Sequence, residues 1–338
     1  MFDRKRDPMT ILRAFAALAL GLLLLGCGPR SAIVVVPQTQ GATVHEVLFA
    51  TNRAPSAQLF GAERSAQVSY GAVRVSVPPA HEPGRVEYPG EAADPQKHFG
   101  IVDARRAAEG AGFGALLAQQ LATRAAKERR VTIFVHGYNN SFAEALYMNT
   151  QIIHDYQTRD IPLLFSWPSA GENLGYLQDR DSVLFSRSAF ETVLDQVQAS
   201  GVESFTIVAH SIGSQLVMEV LRQHAIRNGG AQWGKLAGVV LVSPDIDVEM
   251  FEQQAADMGS LPQPFVVVGS RNDQLLRFSG VLNGNRLRLG TVEDTAVLTR
   301  AKAQVVSASF ATRKLSANHT TAFSSPDMIA LLRALESG

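Results

Sequence analysis

The chain has 338 residues, 46% hydrophobic and 18% charged, with 31 basic and 31 acidic side chains. That length and apolar content suffice for one large or two ordinary cores and exclude a disordered or fibrous protein. The balanced charge, with no dense basic run beyond the first residues, excludes an electrostatic footprint for nucleic acid.

In chain order, Arg4, Lys5, Arg6 and Arg13 precede the uncharged run "AFAALALGLLLLG", whose 13 residues are too short to span a bilayer comfortably. Residues 1–26 are therefore expected to be a signal peptide. The run ends at "LLGC", where Gly26 precedes Cys27, the single cysteine of the chain. This ending resembles the bacterial lipoprotein signal, which implies that the Cys27 thiol is acylated and that the protein is anchored to a membrane by lipid. With Gly28 rather than Asp after the cysteine, the resemblance implies the outer membrane, facing the periplasm. Removal of the signal leaves 27 basic against 29 acidic residues, a net charge of about −2. Residues 27–43 are expected to tether anchor to fold, although "AIVVV" within them also suits an edge strand.

"HEVLFATNR" (45–53) and "YGAVRVSVP" (70–78) alternate partially and stop at turn or proline residues, as half-exposed antiparallel strands do. From Val131 the strand candidates are continuously apolar: 131–135, 161–167, 204–209, 236–243, 264–270 and 303–309. Runs of that kind belong to strands covered on both faces. Helical stretches at 141–158, 181–200, 212–228 and 326–336 lie among them. Strand alternating with helix predicts an α/β fold, a mostly parallel central sheet with an antiparallel N-terminal edge and helices on both faces. No Pro/Gly/Ser-rich linker divides it, so residues 44–338 are expected to form one domain. "AEGAGFG" (108–114) has G-x-G-x-G spacing after a charged stretch, which suits a flexible connection and not a dinucleotide loop.

The stretch "FTIVAHSIGSQL" (205–216) places a histidine and a serine where a buried strand gives way to a helix. That is the context of a nucleophile elbow, in which a tight turn pushes the hydroxyl of Ser211 out at the carboxyl end of the sheet. The small residues Ala209 and Gly213 let the backbones approach. Ser211 as a plain helix cap is the bland alternative. The motif "IFVHGYNNSFAEAL" (133–146) repeats the strand-end context, and an HG loop in such a place supplies one oxyanion-hole N–H while the residue after the nucleophile supplies the other. The candidate donors are the N–H groups of Tyr138 and Ile212. His136 is expected to hold the loop, and Asn139, Asn140 and Ser141 to turn it and cap the next helix.

A serine hydroxyl needs a histidine base and a carboxylate to orient it, in the order Ser, acid, His. His319 in "SANHTTAF" satisfies order and place, whereas His224 falls within the helix after the elbow. Asp273 in "VVVGSRNDQLL" is the candidate acid, with Asp245 in "LVSPDIDVEMF" as the alternative one strand earlier. Residues 168–182 read as a polar loop bordering the site, with Trp167 and Tyr176 as candidate pocket-lining residues or, equally, a core and a surface residue. Scattered histidines without metal-ligand spacing imply no metal, and nothing calls for a cofactor.

The ordered set "VLFATNR", "YGAVRVSVP" with "HEPGRVEYP", "FVHGYNNSF", "FSWPSAG", "VAHSIGSQL", "LVSPDIDVEMF", "SRNDQLL" and "NHTTAF" resembles a bacterial α/β-hydrolase family of unknown function, grouped with esterase/lipase superfamily enzymes and often found as lipoproteins. The resemblance spans residues 44–336. It implies that Ser211, Asp273 and His319 form a triad, and it carries hydrolase chemistry without naming a substrate. Ala209 departs from the usual first glycine of the elbow. The expectation is a carboxylesterase for short- to medium-chain acyl esters, since no long apolar insertion could serve as a lid. The rivals are a thioesterase or acyltransferase with the same triad, and an envelope lipoprotein that uses the scaffold only for binding.

Overall fold

The computed structural model describes residues 31–90, 93–107, 112–292, 295–307, 319–326 and 329. The expected signal peptide with Cys27 lies outside them, as do the first part of "AEGAGFG" and most of the helix expected at 326–336. Nine strands form one sheet: β1 (Thr43–Ser56), β2 (Leu59–Val77), β3 (Gly100–Arg106), β4 (Arg130–Val135), β5 (Ile161–Ser166), β6 (Ser204–His210), β7 (Leu236–Val242), β8 (Phe265–Gly269) and β9 (Gln304–Ser307). Their spatial order is β3-β2-β1-β5-β4-β6-β7-β8-β9. β1–β2 and β2–β3 pair antiparallel, and every other pair is parallel.

The antiparallel N-terminal region takes a form the sequence pattern only partly conveys. β1 is an interior strand, paired in parallel with β5 through Leu48–Leu163 to Thr51–Ser166, and it is buried from Val47 to Arg53. The outer strand is β3, whose burial fades into five exposed or half-exposed residues, so its alternation is too short to read. Part of the expected tether bridges to it: Val36 N–H donates to Ile101 O at 2.8 Å, and Ile101 N–H to Val34 O at 2.9 Å.

The helices are α1 (Gly112–Ala122), α2 (Phe142–Tyr156), α3 (Tyr176–Phe185), α4 (Arg187–Ala199), α5 (Gly213–Arg227), α6 (Val248–Met258), α7 (Gln274–Leu282), α8 (Thr295–Arg300) and α9 (Thr321–Ser324). Gly112–Gly114 thus open a helix where a flexible connection was expected. The single helix expected over 181–200 is two, meeting at Ser186, whose hydroxyl donates to Ser182 O at 2.7 Å and accepts from Asn52 Nδ2 at 3.0 Å. The loop expected over 168–182 correspondingly ends where α3 begins.

Strand alternation divides the core in two. Leu48, Ala50, Ile133, Val135, Leu163, Phe165, Ile207 and Ala209 face one way and pack under α1, α4, α5 and α6. Val47, Phe49, Phe134, Leu164 and Val268 face the other, under α2 and α9. With helices on both faces, the parallel strands carry apolar residues towards both, which is why their sequences run with little alternation. The carboxyl ends of β4 to β8 are left to the loops that build the site.

Candidate active site

Ser211 follows the last residue of β6 and has φ of 54°, a left-handed conformation that a non-glycine residue holds only where its surroundings enforce it. Here they do. Ser211 N–H donates to Val242 O at 2.9 Å, and Ser211 O accepts from Ser214 N at 3.1 Å and Asp245 N at 3.2 Å. Two glycines let the end of β4 close on this turn. A Cβ on Gly213 would stand 2.9 Å from Val135 O, and one on Gly137 would stand 2.8 Å from His210 Nδ1 and 2.9 Å from Ser211 Cβ. Gly137 therefore lies directly against the elbow, and Ile212, fully buried, precedes α5 on the other side of Ser211.

A buried polar framework fixes that loop. His136 is fully buried, stacked on Trp167 with ring centroids 4.8 Å apart, with Nδ1 2.9 Å from Gly137 O and Nε2 3.1 Å from Trp167 O. Burial, reinforced by the nearby Arg53 charge, lowers its pKa to about 3, so the ring is neutral and serves the loop as a brace. Arg53, at the end of the buried part of β1, is itself buried. Its guanidinium donates to Ser166 Oγ (2.9 Å), Gly61 O (3.0 Å), Ser169 O (3.1 Å) and Asn140 O (2.8 Å). The complementary charge comes from Asp179 of α3. Its carboxylate accepts from Ser169 Oγ and Ala170 N at 2.6 Å each and from Asn139 N at 3.1 Å. Burial pushes the Asp179 carboxyl above its usual range despite these bonds and the Arg53 charge. Ser141 then starts α2 with a reciprocal Ser141–Glu144 capping box.

Neither Arg53 nor Asp179 stands out in the sequence, where an arginine ending a strand and an aspartate in a polar stretch read as solvated. The available signal is their place inside "VLFATNR" and beside "FSWPSAG": Thr51 Oγ1 also donates to Ser166 O at 2.5 Å, so the two motifs are one structure.

His319 meets Asp273. His319 Nδ1 lies 2.8 Å from Asp273 Oδ2, while Asp273 Oδ1 accepts from Leu276 N at 3.0 Å as the cap of α7. Asp273 is fully buried, so both oxygens need partners there, and these two contacts supply them. His210 ties the pair to the elbow: its Nε2 lies 3.2 Å from His319 O and the two imidazole rings are 4.8 Å apart. Among the described residues His319 makes no hydrogen bond to the Ser211 hydroxyl, so imidazole and serine are neighbours across His210 and not a closed pair. Asp245 is engaged elsewhere. It accepts from Ser279 Oγ at 2.8 Å and from Tyr176 OH at 2.9 Å, and Arg288 Nε stands 3.2 Å away at an angle that makes it a charge contact only.

Of the two candidate lining residues, Trp167 is a core residue: it has no exposed surface and its Nε1 donates to His136 O at 2.8 Å. Its place at the end of a continuous apolar strand made wall and core indistinguishable in sequence. Tyr176 is half-buried, edge-on to Tyr138 at 5.6 Å, and Tyr138 OH in turn donates to Asn173 O at 2.6 Å. A cavity of about 540 Å³ opens at the other end of the sheet, lined by His45, Pro83, His154 and Asp155. Among the described residues no cluster of three or more histidine, cysteine or carboxylate side chains is arranged to hold a metal ion, and no helix is long and apolar enough to cross a membrane.

The model of a family described as "Alpha/beta hydrolase of unknown function (DUF900)" matches residues 114–335. No curated protein matches the chain. Among solved structures, esterase B from Lactobacillus rhamnosis is similar at 9% identity and a TM-score of 0.38, over 97% of this chain and 93% of its own. A Pyrobaculum calidifontis esterase is similar at 11% identity and 0.34, over 99% and 94%. A predicted CIB-like hydrolase from Thermoplasma acidophilum is similar at 13% and 0.40, over 87% and 100%.

Proposed function

The chain belongs to this family of α/β hydrolases, and from that premise we propose that it is a serine hydrolase, a carboxylesterase for short- to medium-chain acyl esters. The observation that carries the reading is the 2.8 Å contact of His319 with buried Asp273, held next to the strained Ser211 elbow. In the proposed mechanism His319 Nε2 takes the Ser211 proton as the serine oxygen attacks the ester carbonyl. Asp273 keeps the Nδ1–H tautomer and offsets the imidazolium charge. The N–H groups of Tyr138 and Ile212 receive the oxyanion, each such donor contributing about 3 to 4 kcal/mol to lowering the barrier. His319 returns the proton to the leaving alcohol, and water then releases the acid from Ser211 by the same steps. The hydrogen bond from serine to imidazole forms as substrate seats, a tightening common from free to occupied sites.

The test is hydrolysis of p-nitrophenyl esters from acetate to palmitate by the full chain in detergent, beside Ser211→Ala. Loss of turnover and of fluorophosphonate labelling in the variant supports the reading; turnover by Ser211→Ala overturns it, and ester exchange with an added alcohol outpacing hydrolysis replaces the esterase with an acyltransferase. For the N-terminal segment we propose lipid anchoring through Cys27 at the outer membrane. Cys27→Ser is expected to move the protein from the membrane to the soluble fraction, and retention in the membrane refutes the anchor.

A further inference from the structure

We propose that His210, the residue before the nucleophile, is a positioning residue that sets the direction in which His319 presents its Nε2 to Ser211. The proposal rests on the triad reading above.

Strand alternation puts the side chain of His210 on the face of β6 opposite Ala209, where α9 lies. Its ring meets Phe323 edge-on at 5.6 Å and the His319 ring at 4.8 Å, and its Nε2 is 3.2 Å from His319 O. Since that partner is a carbonyl, Nε2 carries the proton and donates. Asp273 grips the His319 imidazole at Nδ1, a single point about which the ring and its backbone can still pivot. The His210 bond to the carbonyl of the same residue, with the ring packed against its imidazole, is a second point, and two points define a direction. The chain beyond is fixed independently: Gln151 Nε2 donates to Phe323 O at 3.0 Å and Tyr156 OH to Ala322 O. His210 is thus the second hold on His319 itself, beside Asp273.

The arrangement is poor as packing alone. With the proton on Nε2, the Nδ1 lone pair of His210 is buried without a partner among the described residues, facing Gly137. A phenylalanine would fill that space without the unsatisfied atom. Burial and the neighbouring His319 lower the His210 pKa to about 3, so it stays neutral and adds no second positive charge when His319 takes up a proton.

The experiment compares the full chain, His210→Phe, His210→Gln and Ser211→Ala for kcat, KM and thermal midpoint. His210→Phe keeps the ring and loses the donor: kcat should fall about 10- to 100-fold with KM nearly unchanged, as a misdirected base does, while the thermal midpoint holds or rises. His210→Gln, which places an amide N–H near the Nε2 position, should recover most of kcat. If His210→Phe fails to fold, His210→Leu is read the same way. Full kcat in the apolar variants with Ser211→Ala inactive overturns the positioning role and leaves the triad standing, and so does a folded His210→Gln no better than His210→Phe. Activity in Ser211→Ala refutes the triad instead.

Discussion

Asp245 and Asp273 stand beyond the ends of adjacent parallel strands, both buried, both close to the elbow. Their partners separate them. Asp245 meets a serine, a tyrosine and an arginine, so its oxygens are committed to joining α3, α7 and the segment around Arg288. Asp273 gives one oxygen to its own helix and the other to an imidazole. Burial gives both a carboxylate that must be partnered; only the second is partnered by a group that can change its protonation state during a reaction.

The largest test of this contrast is Asp273→Asn, which keeps the shape, favours the wrong tautomer of His319, and should lower kcat by about 10⁴-fold in steady-state ester hydrolysis. Next in size is Arg53→Met. It removes the charge that offsets the Asp179 carboxylate and takes buried donors from Ser166, Gly61, Asn140 and Ser169, so urea unfolding should show a loss of about 3 to 5 kcal/mol. Asp245→Asn should behave as a weaker frame lesion, costing about 1 to 3 kcal/mol of stability as hydrogen bonds at a buried site are lost. Its kcat should stay within tenfold of the parent. A collapse in kcat for Asp245→Asn with activity retained in Asp273→Asn would reverse the assignment.

The smallest effect is graded with pH. His136 and His210 have folded pKa values lowered to about 3 from 6.5, so below pH 6.5 the unfolded chain binds protons that the folded chain refuses. Stability therefore falls as pH drops from 6.5 towards 3, by up to about 1.4 kcal/mol per pH unit for each ring. His81 opposes this. Although burial lowers its pKa, Asp155 and Glu87, at 2.9 and 2.8 Å, raise it more, so its contribution is fully present below pH 6.5 and fades as pH rises through its folded value. Urea midpoints measured from pH 8 to 5 should decline, and His81→Asn should steepen the decline. A flat profile would mean that the two buried rings are not held neutral.

Much of the site is legible in sequence because strand ends announce themselves: an apolar run, then His210 and Ser211, then Gly213, admits few other structures. His319 follows from chain order. Strand position favours Asp273 over Asp245 without excluding the latter, since their different partners come from α3, α7 and the His319 segment, contacts across 34 to 69 residues that leave no local pattern. Arg53 and Asp179 escaped for the same reason. The first turn and a half of helix α3 was hidden by the sequence, YLQDRDSVLF, where Asp179 and Ser182 are buried and leucines are exposed, so the apolar stripe that marks an ordinary surface helix is missing.

The interior seat of β1 bears on the order in which this protein can be assembled. Thr51 bonds to Ser166 across 115 residues, and Arg53 makes its bonds over comparable spans. Such distant closures are slow, and during synthesis the β1–β2 ribbon emerges long before β5. Until then the buried row from Leu48 to Thr51 has an open edge, a template for wrong pairing. The arginine that later steadies the loop beside Ser211 must wait in that unfinished ribbon, so the order of folding, as well as its end point, governs when the candidate site comes into being.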